Sequence, residues 1–271
     1  MNRVARVLVI AGSDSGGGAG IQADIKTIAA FGGFATTAIT AVTAQNTHGV
    51  AGVWPVAPEF VALQIRLVLE DIGADAIKTV MLVDGPTIEA VSAALSGRRL
   101  PLVIDPVMVA KGGRSLLEPG AIERLLTLLI PRASLLAPNL PEAMVLAGML
   151  IEDVAGMRRA ADVLCRAGAQ AVLIKGGHLP GAIVHDLLVS GAQEELFSAP
   201  RIETRAGHGT GCTLASAIAV GLAQGAKIVD AVREARDYVR SGLLHGLALG
   251  AGHQPLDHGV LSPFGKAWGR R

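Results

Sequence analysis

Apolar and polar positions follow two rhythms along this chain. Short apolar runs recur as Val7-Leu8-Val9-Ile10, Ala76-Ile77-Lys78-Thr79, Leu102-Val103-Ile104, Ser134-Leu135-Leu136-Ala137 and Ala171-Val172-Leu173-Ile174. Between them lie helix-length segments. Ile21, Ile25 and Ile28 fall at spacings of four and three, so the first run, its glycine loop and this segment read as a β-loop-α unit. A second helix is predicted from Pro86 to about Leu95, with proline in its first turn and Gly97 beyond its end. A third is predicted from Asp153 to about Arg166, with Gly168 as its stop. Runs that are apolar throughout, rather than at alternate positions, belong to strands covered on both faces. The pattern therefore predicts an α/β fold with a mainly parallel sheet.

The rhythm breaks over residues 183–197, which read as a hairpin turning near Ser190-Gly191. From Gly211 the chain reads as helical to about Leu249, interrupted near Gly225, and a tail with Pro255 and Pro263 closes it. No repeat, low-complexity segment, charge block or linker divides the chain, so residues 1–271 read as a single domain.

Composition sharpens this picture. The chain is 51% apolar but only 3% aromatic and holds 34 glycines, which excludes disorder and favours close backbone packing. Residues 27–58 and 206–226 carry no Asp, Glu, Lys or Arg, and each reaches the ~20 residues that a membrane-spanning helix needs. The first contains Gln45, Asn46, His48 and Pro55, and the second begins with a glycine loop, so both read as buried elements rather than spans. A net charge of +1 provides no field for nucleic acid or an anionic membrane. No signal-peptide pattern follows the N-terminus, and Cys165 and Cys212 make no disulfide framework. A reducing cytoplasm is the expected compartment.

In an open parallel sheet, ligands bind beyond the carboxyl ends of the strands. Two glycine loops stand there, Ala11-Gly12-Ser13-Asp14-Ser15-Gly16-Gly17-Gly18-Ala19-Gly20 and Gly207-His208-Gly209-Thr210-Gly211-Cys212-Thr213. Each leads into an apolar helix, whose unpaired N–H groups suit an anion, although such loops also serve as plain connections. Gly12 and Gly17 have Walker spacing, but Gly18-Ala19 stands where Lys and Ser/Thr are required, and neither loop fits G-x-G-x-x-G. Cys212 lies in the first turn of its helix, where a thiolate near neutral pH is expected to act as base or nucleophile; Cys165 reads as core. Asp105 and Glu142 suit Mg²⁺ beside phosphates, and each alone could be a cap or turn residue. Lys175 precedes Gly176-Gly177-His178, where an ammonium could meet phosphate. The histidines show no zinc spacing, and no G-x-S-x-G elbow occurs.

Together these segments are more specific than any one loop. Ala11-Gly12-Ser13-Asp14 with Gly17-Gly18-Ala19-Gly20-Ile21-Gln22-Ala23-Asp24, then Thr43-Ala44-Gln45-Asn46-Thr47, Asp105-Pro106-Val107-Met108, Pro138-Asn139-Leu140-Pro141-Glu142-Ala143, Lys175-Gly176-Gly177-His178 and His208-Gly209-Thr210-Gly211-Cys212-Thr213 resemble the hydroxymethylpyrimidine and phosphomethylpyrimidine kinases of thiamine biosynthesis, in their order. The resemblance implies a ribokinase-like three-layer α/β/α fold, ATP with Mg²⁺, a homodimer, and successive phosphorylation of a pyrimidine alcohol and its monophosphate. It implies that Gln45 bonds the aminopyrimidine with Gly12, Asp24, Met81 and Val107 around it, and that Cys212 is the base beside Gly209, Thr210 and Gly211. Asp105 and Glu142 would place Mg²⁺, while Lys175, His208 and Arg236 would meet the nucleotide. Val80 stands where the family usually has Gly, Gly16 and Gly112 where Ser is common, Ala206-Gly207 where Thr precedes the His, and Arg236 where Lys is frequent. Alternatives are a pyridoxal kinase on the same fold and a noncatalytic vitamin-binding regulator.

Overall fold

The computed structural model describes residues 4–109, 113–118 and 120–260; Gly112 and Pro263 lie outside them. Nine strands form one sheet among these residues, in the order β3-β2-β1-β4-β5-β6-β7-β8-β9. They are β1 (Arg6–Asp14), β2 (Phe34–Asn46), β3 (Gly49–Pro55), β4 (Ala76–Thr79), β5 (Leu102–Ile104), β6 (Leu135–Leu136), β7 (Ala171–Ile174), β8 (Ile183–Ser190) and β9 (Gln193–Pro200). The six from β2 to β7 run parallel. β3 pairs antiparallel at one end, and the β8–β9 hairpin at the other.

Helices cover both faces, because each inner strand turns alternate apolar side chains to opposite sides. Leu8 and Ile10 of β1 share a core with Ile65 of α2 (Pro58–Asp71), Ile88 of α3 (Gly85–Ala94), Leu125 just beyond α4 (Ala121–Arg124), Leu140 of α5 (Leu140–Ala147) and Leu164 of α6 (Val154–Arg166). Val7, Val9 and Ala11 share the other core with Ile28 of α1 (Gly20–Ala30), Ile218 of α7 (Thr210–Ala223) and Val232 of α8 (Ile228–Leu244). This is the three-layer α/β/α architecture expected.

Differences from the expected elements have local causes. Ile25 is 42% exposed, so the buried face of α1 is instead Ile21, Ala23, Asp24, Thr27 and Ile28. The final helical stretch ends at Leu244 rather than Leu249. The charge-free residues 27–58 become mainly β2 and β3, and no helix among the described residues is long and apolar enough to cross a membrane.

Chain order sets the position of the site. The chain moves from β1 to β2 and β3 on one side, then returns to place β4 on the other side of β1. Where strand order reverses in this way, the loops diverge and leave a crevice beyond the carboxyl ends.

Candidate active site

The strand ends supply one cleft of about 770 Å³. Gly12 follows within β1, Met81 follows β4, Asp105 and Val107 follow β5, Glu142 follows β6 and Lys175 follows β7; all line it. Gln45 of β2 enters from one side, and His208, Gly209, Thr210, Gly211 and Cys212 enter with the start of α7. Of the residues singled out in the sequence, Asp24 and Arg236 do not line it.

The two glycine loops are packed on each other. Asp14 accepts the amides of Gly16 at 2.7 Å, Gly18 at 3.1 Å and Ala19 at 2.8 Å, which winds the first loop around its carboxylate. His208 Nε2 lies 2.9 Å from Asp14 Oδ2 and 3.2 Å from the side-chain amide of Gln45. Burial raises the Asp14 pKa, but bonds from His208, Gly16 and Ala19 outweigh it and hold the carboxyl below its ordinary value. Gly209 has φ of +84° and a Cβ there would strike the carbonyl of Gly18, so glycine is required for this contact. Met81 and Val83 also hold positive φ, at +48° and +66°. That is strained backbone at the rim of the cleft, and it turns the Met81 sulfur toward Gly12, where a Cβ would approach it to 2.6 Å.

Beneath Gly211 lies a set of buried charges. Lys175 Nζ is 2.7 Å from Asp105 Oδ1, while Asp105 Oδ2 is buried without a hydrogen-bond partner. A buried carboxylate oxygen left unpaired is costly, and its place in the cleft fits a cation. Glu142 is the N3 residue of α5, where its Oε2 accepts the Asn139 amide at 2.8 Å and Asn139 Oδ1 accepts the Glu142 amide at 3.0 Å. Burial, opposed by Lys175 and reinforced by Asp105, pushes the Glu142 pKa up to about 7. No cluster of three or more His, Cys, Asp or Glu suited to a metal occurs among the described residues. Two carboxylates facing an open cleft instead match Mg²⁺, which completes its shell with water and phosphate oxygens.

Three expectations are corrected. Asp24 is not a wall of the cleft: it is fully buried, 2.9 Å from Lys78 Nζ and 2.7 Å from Ser216 Oγ, because a buried ammonium in β4 needs a counter-charge. Arg236 turns away to Asp186 at 2.8 Å and sits 5.1 Å over the Phe197 ring. Asp186 also accepts the amide of Gly176, the residue after Lys175, at 2.9 Å, so Arg236 holds the backbone beside the cleft rather than lining it. Cys212 is not poised as a thiolate. Burial pushes its thiol up to about 12; Lys78 opposes this, Asp24 and Asp105 add to it, and a backbone bond at Gly20 lowers it slightly.

Lys78 and Asp14 were not singled out as functional residues. A lysine inside a short apolar strand covered on both faces must be paired, and that signal was present in Ala-Ile-Lys-Thr.

The α/β/α sheet and its cleft of glycine loops and acidic strand ends define a kinase of the ribokinase-like class. A family model described as phosphomethylpyrimidine kinase matches residues 14–257, and the chain belongs to that family. It is 49% identical over 253 residues, 93% of this chain and 94% of the relative, to a hydroxymethylpyrimidine/phosphomethylpyrimidine kinase of Streptomyces coelicolor. A crystal structure of an ADP complex of Bacillus subtilis pyridoxal kinase matches with a TM-score of 0.89 at 35% identity, covering 96% of this chain and 99% of that one. A phosphomethylpyrimidine kinase from Clostridium difficile matches with a TM-score of 0.78 at 40% identity, covering 87% and 98%.

Proposed function

We propose that this protein uses MgATP to phosphorylate 4-amino-5-hydroxymethyl-2-methylpyrimidine and then its monophosphate, yielding the diphosphate for thiamine diphosphate biosynthesis. One observation carries the reading: Gln45 and Cys212, from opposite ends of the chain, share one cleft with the glycine loop between His208 and Cys212.

Phosphoryl transfer asks little covalent work of a protein; it needs alignment, charge neutralisation and a proton acceptor. Gln45 provides a donor and an acceptor side by side for an aminopyrimidine edge. The amides at Gly209, Thr210, Gly211 and Cys212 stand where α7 begins, beside the cleft; they would donate to the transferring phosphoryl, and each such donor contributes about 3 kcal/mol. Lys175 holds Asp105 and offers its remaining N–H bonds to phosphate oxygens. Asp105 and Glu142 would hold Mg²⁺, which neutralises charge on the phosphates when bound. Cys212 is assigned as the acceptor of the hydroxyl proton. With its pKa raised, it serves late, as a loose transition state permits.

The test is ATP turnover with the pyrimidine alcohol, its monophosphate and pyridoxal. Turnover of both pyrimidines is expected; turnover of pyridoxal alone overturns the assignment. That second reading is kept because of the solved pyridoxal kinase of the same fold. Ligand binding with no ATP consumption would favour a regulator instead. A homodimer in the cytoplasm, with no nucleic-acid or membrane partner, is part of the proposal, and light scattering on the purified protein checks the assembly.

A further inference from the structure

Gln45 meets two hydrogen-bond conflicts if its amide nitrogen faces His208. That nitrogen would lie 3.2 Å from His208 Nε2, which is also 2.9 Å from Asp14 Oδ2. A carboxylate oxygen only accepts, so the Nε2 proton belongs to Asp14 and the ring has no lone pair there for an amide N–H. The other end is also mismatched. Thr43 Oγ1 has a single proton, yet lies 3.0 Å from the Ser13 carbonyl and 3.2 Å from the Gln45 amide oxygen, both acceptors. Half a turn of the amide removes both conflicts. Its oxygen then shares the Nε2 proton with Asp14, and its nitrogen donates to Thr43 Oγ1, whose own proton goes to Ser13. Amide oxygen and nitrogen have nearly the same shape, so the network decides between them.

We infer that the Asp14–His208 pair locks the Gln45 amide with its oxygen toward His208 and its nitrogen toward Thr43, making His208 a positioning residue for ring specificity. The inference rests on the aminopyrimidine reading above. The amides of Gly16, Gly18 and Ala19 keep the Asp14 carboxylate from turning, and the pair is 15% and 4% exposed, so the lock is shielded from water. Each end of the locked amide keeps one bonding position: a lone pair on oxygen and a second proton on nitrogen. A 4-aminopyrimidine carries a donor beside an acceptor and fits in one sense, amino group to oxygen and ring nitrogen to N–H. A 4-oxo ring carries an acceptor beside an N–H donor and meets the same amide with both signs reversed. A freely turning glutamine would accept either ring, whereas a locked one leaves the oxo ring with unpaired buried groups.

The experiment compares kcat/KM for the 4-amino and 4-oxo hydroxymethylpyrimidines in the wild type, His208→Leu and His208→Gln, the glutamine amide replacing Nε2 as donor. The wild type is expected to prefer the amino ring by at least about a hundredfold. His208→Leu should shrink that ratio by about tenfold or more, through KM for the amino ring rather than KM for ATP, and His208→Gln should restore most of it. An unchanged ratio in His208→Leu overturns the inference while leaving the kinase reading intact, and so does a glutamine variant no better than leucine. Turnover of neither ring by the wild type overturns both. A neutron structure of the wild-type protein reads the point without any variant. Deuterium on His208 Nε2 with the Gln45 nitrogen on the Thr43 side is expected; the nitrogen on the His208 side overturns it.

Discussion

Cys212 carries a thiol where burial, Asp24 and Asp105 outweigh the attraction of Lys78. If it accepts the hydroxyl proton, the fraction able to do so grows as pH rises toward about 12. Wild-type kcat should therefore climb from pH 7 to 9.5. Cys212→Asp places an ordinary acid there and should flatten that limb, while Cys212→Ala should lose about 10²–10⁴ in kcat with pyrimidine binding still measurable. Superimposable pH–rate profiles for the wild type and Cys212→Asp would remove Cys212 from proton transfer. The Lys78–Asp24 pair is a different kind of residue feature, fully buried and 2.9 Å apart. Lys78→Met strands the carboxylate and should cost about 3–5 kcal/mol in urea unfolding, and adding Asp24→Leu should recover most of it. A double variant as unstable as the single one would mean that packing, not charge, is the cost. Asp105, Lys175 and the residues from His208 to Cys212 were legible because each ends an apolar run or lies in a glycine cluster, whereas Gln45, Met81 and Val107 were reached only through the family resemblance. Asp24 was misplaced because its partner lies 54 positions away, and no local spacing encodes that pairing.

At the scale of elements, α5 couples stability to the site through its cap. Asn139 Oδ1 accepts the Glu142 amide, and Glu142 Oε2 accepts the Asn139 amide. Asn139→Ala removes only the first bond, so it should cost about 1 kcal/mol in urea while the Mg²⁺ dependence of turnover stays within about twofold. A large change in Mg²⁺ dependence would show that the cap, rather than the backbone amide, sets the carboxylate. Elements differed in how readable they were for physical reasons. Strands β5 and β7 were expected at Leu102–Ile104 and Ala171–Ile174 and occur there, because both are buried on each face. The hairpin turning at Ser190-Gly191 was likewise readable. Strand β2 was not, because Phe-Ala-Thr-Thr-Ala-Ile-Thr-Ala-Val-Thr mixes threonine with apolar residues and only half of it is buried. The irregular stretch Leu125–Leu129 beyond α4 has no signature in a run of leucines.

Across the whole molecule, two buried groups titrate in opposite senses over the same pH range. His258 ties the C-terminal segment to the helical layer: its Nε2 is 3.0 Å from Thr213 Oγ1, and its carbonyl accepts the Tyr238 hydroxyl at 2.7 Å. Burial, aided by Lys26, lowers its pKa from 6.5 to about 4. The unfolded chain binds that proton first, so stability from His258 is present above pH 6.5 and is lost as pH falls toward 4. Glu142 is the reverse case, raised from 4.5 to about 7 by burial. The folded protein binds its proton first, so stability rises as pH falls from 7 to 4.5. Each shift corresponds to about 3 kcal/mol, and the two nearly offset each other. The ligand-free wild type should therefore hold a nearly constant Tm between pH 6.5 and 4.5. His258→Gln should remove one limb and make Tm rise on acidification across that range, while Glu142→Gln should remove the other and make Tm fall. Calorimetry of the three proteins in chelator checks this. Parallel Tm profiles in the three proteins would mean that neither buried group governs the pH dependence of stability.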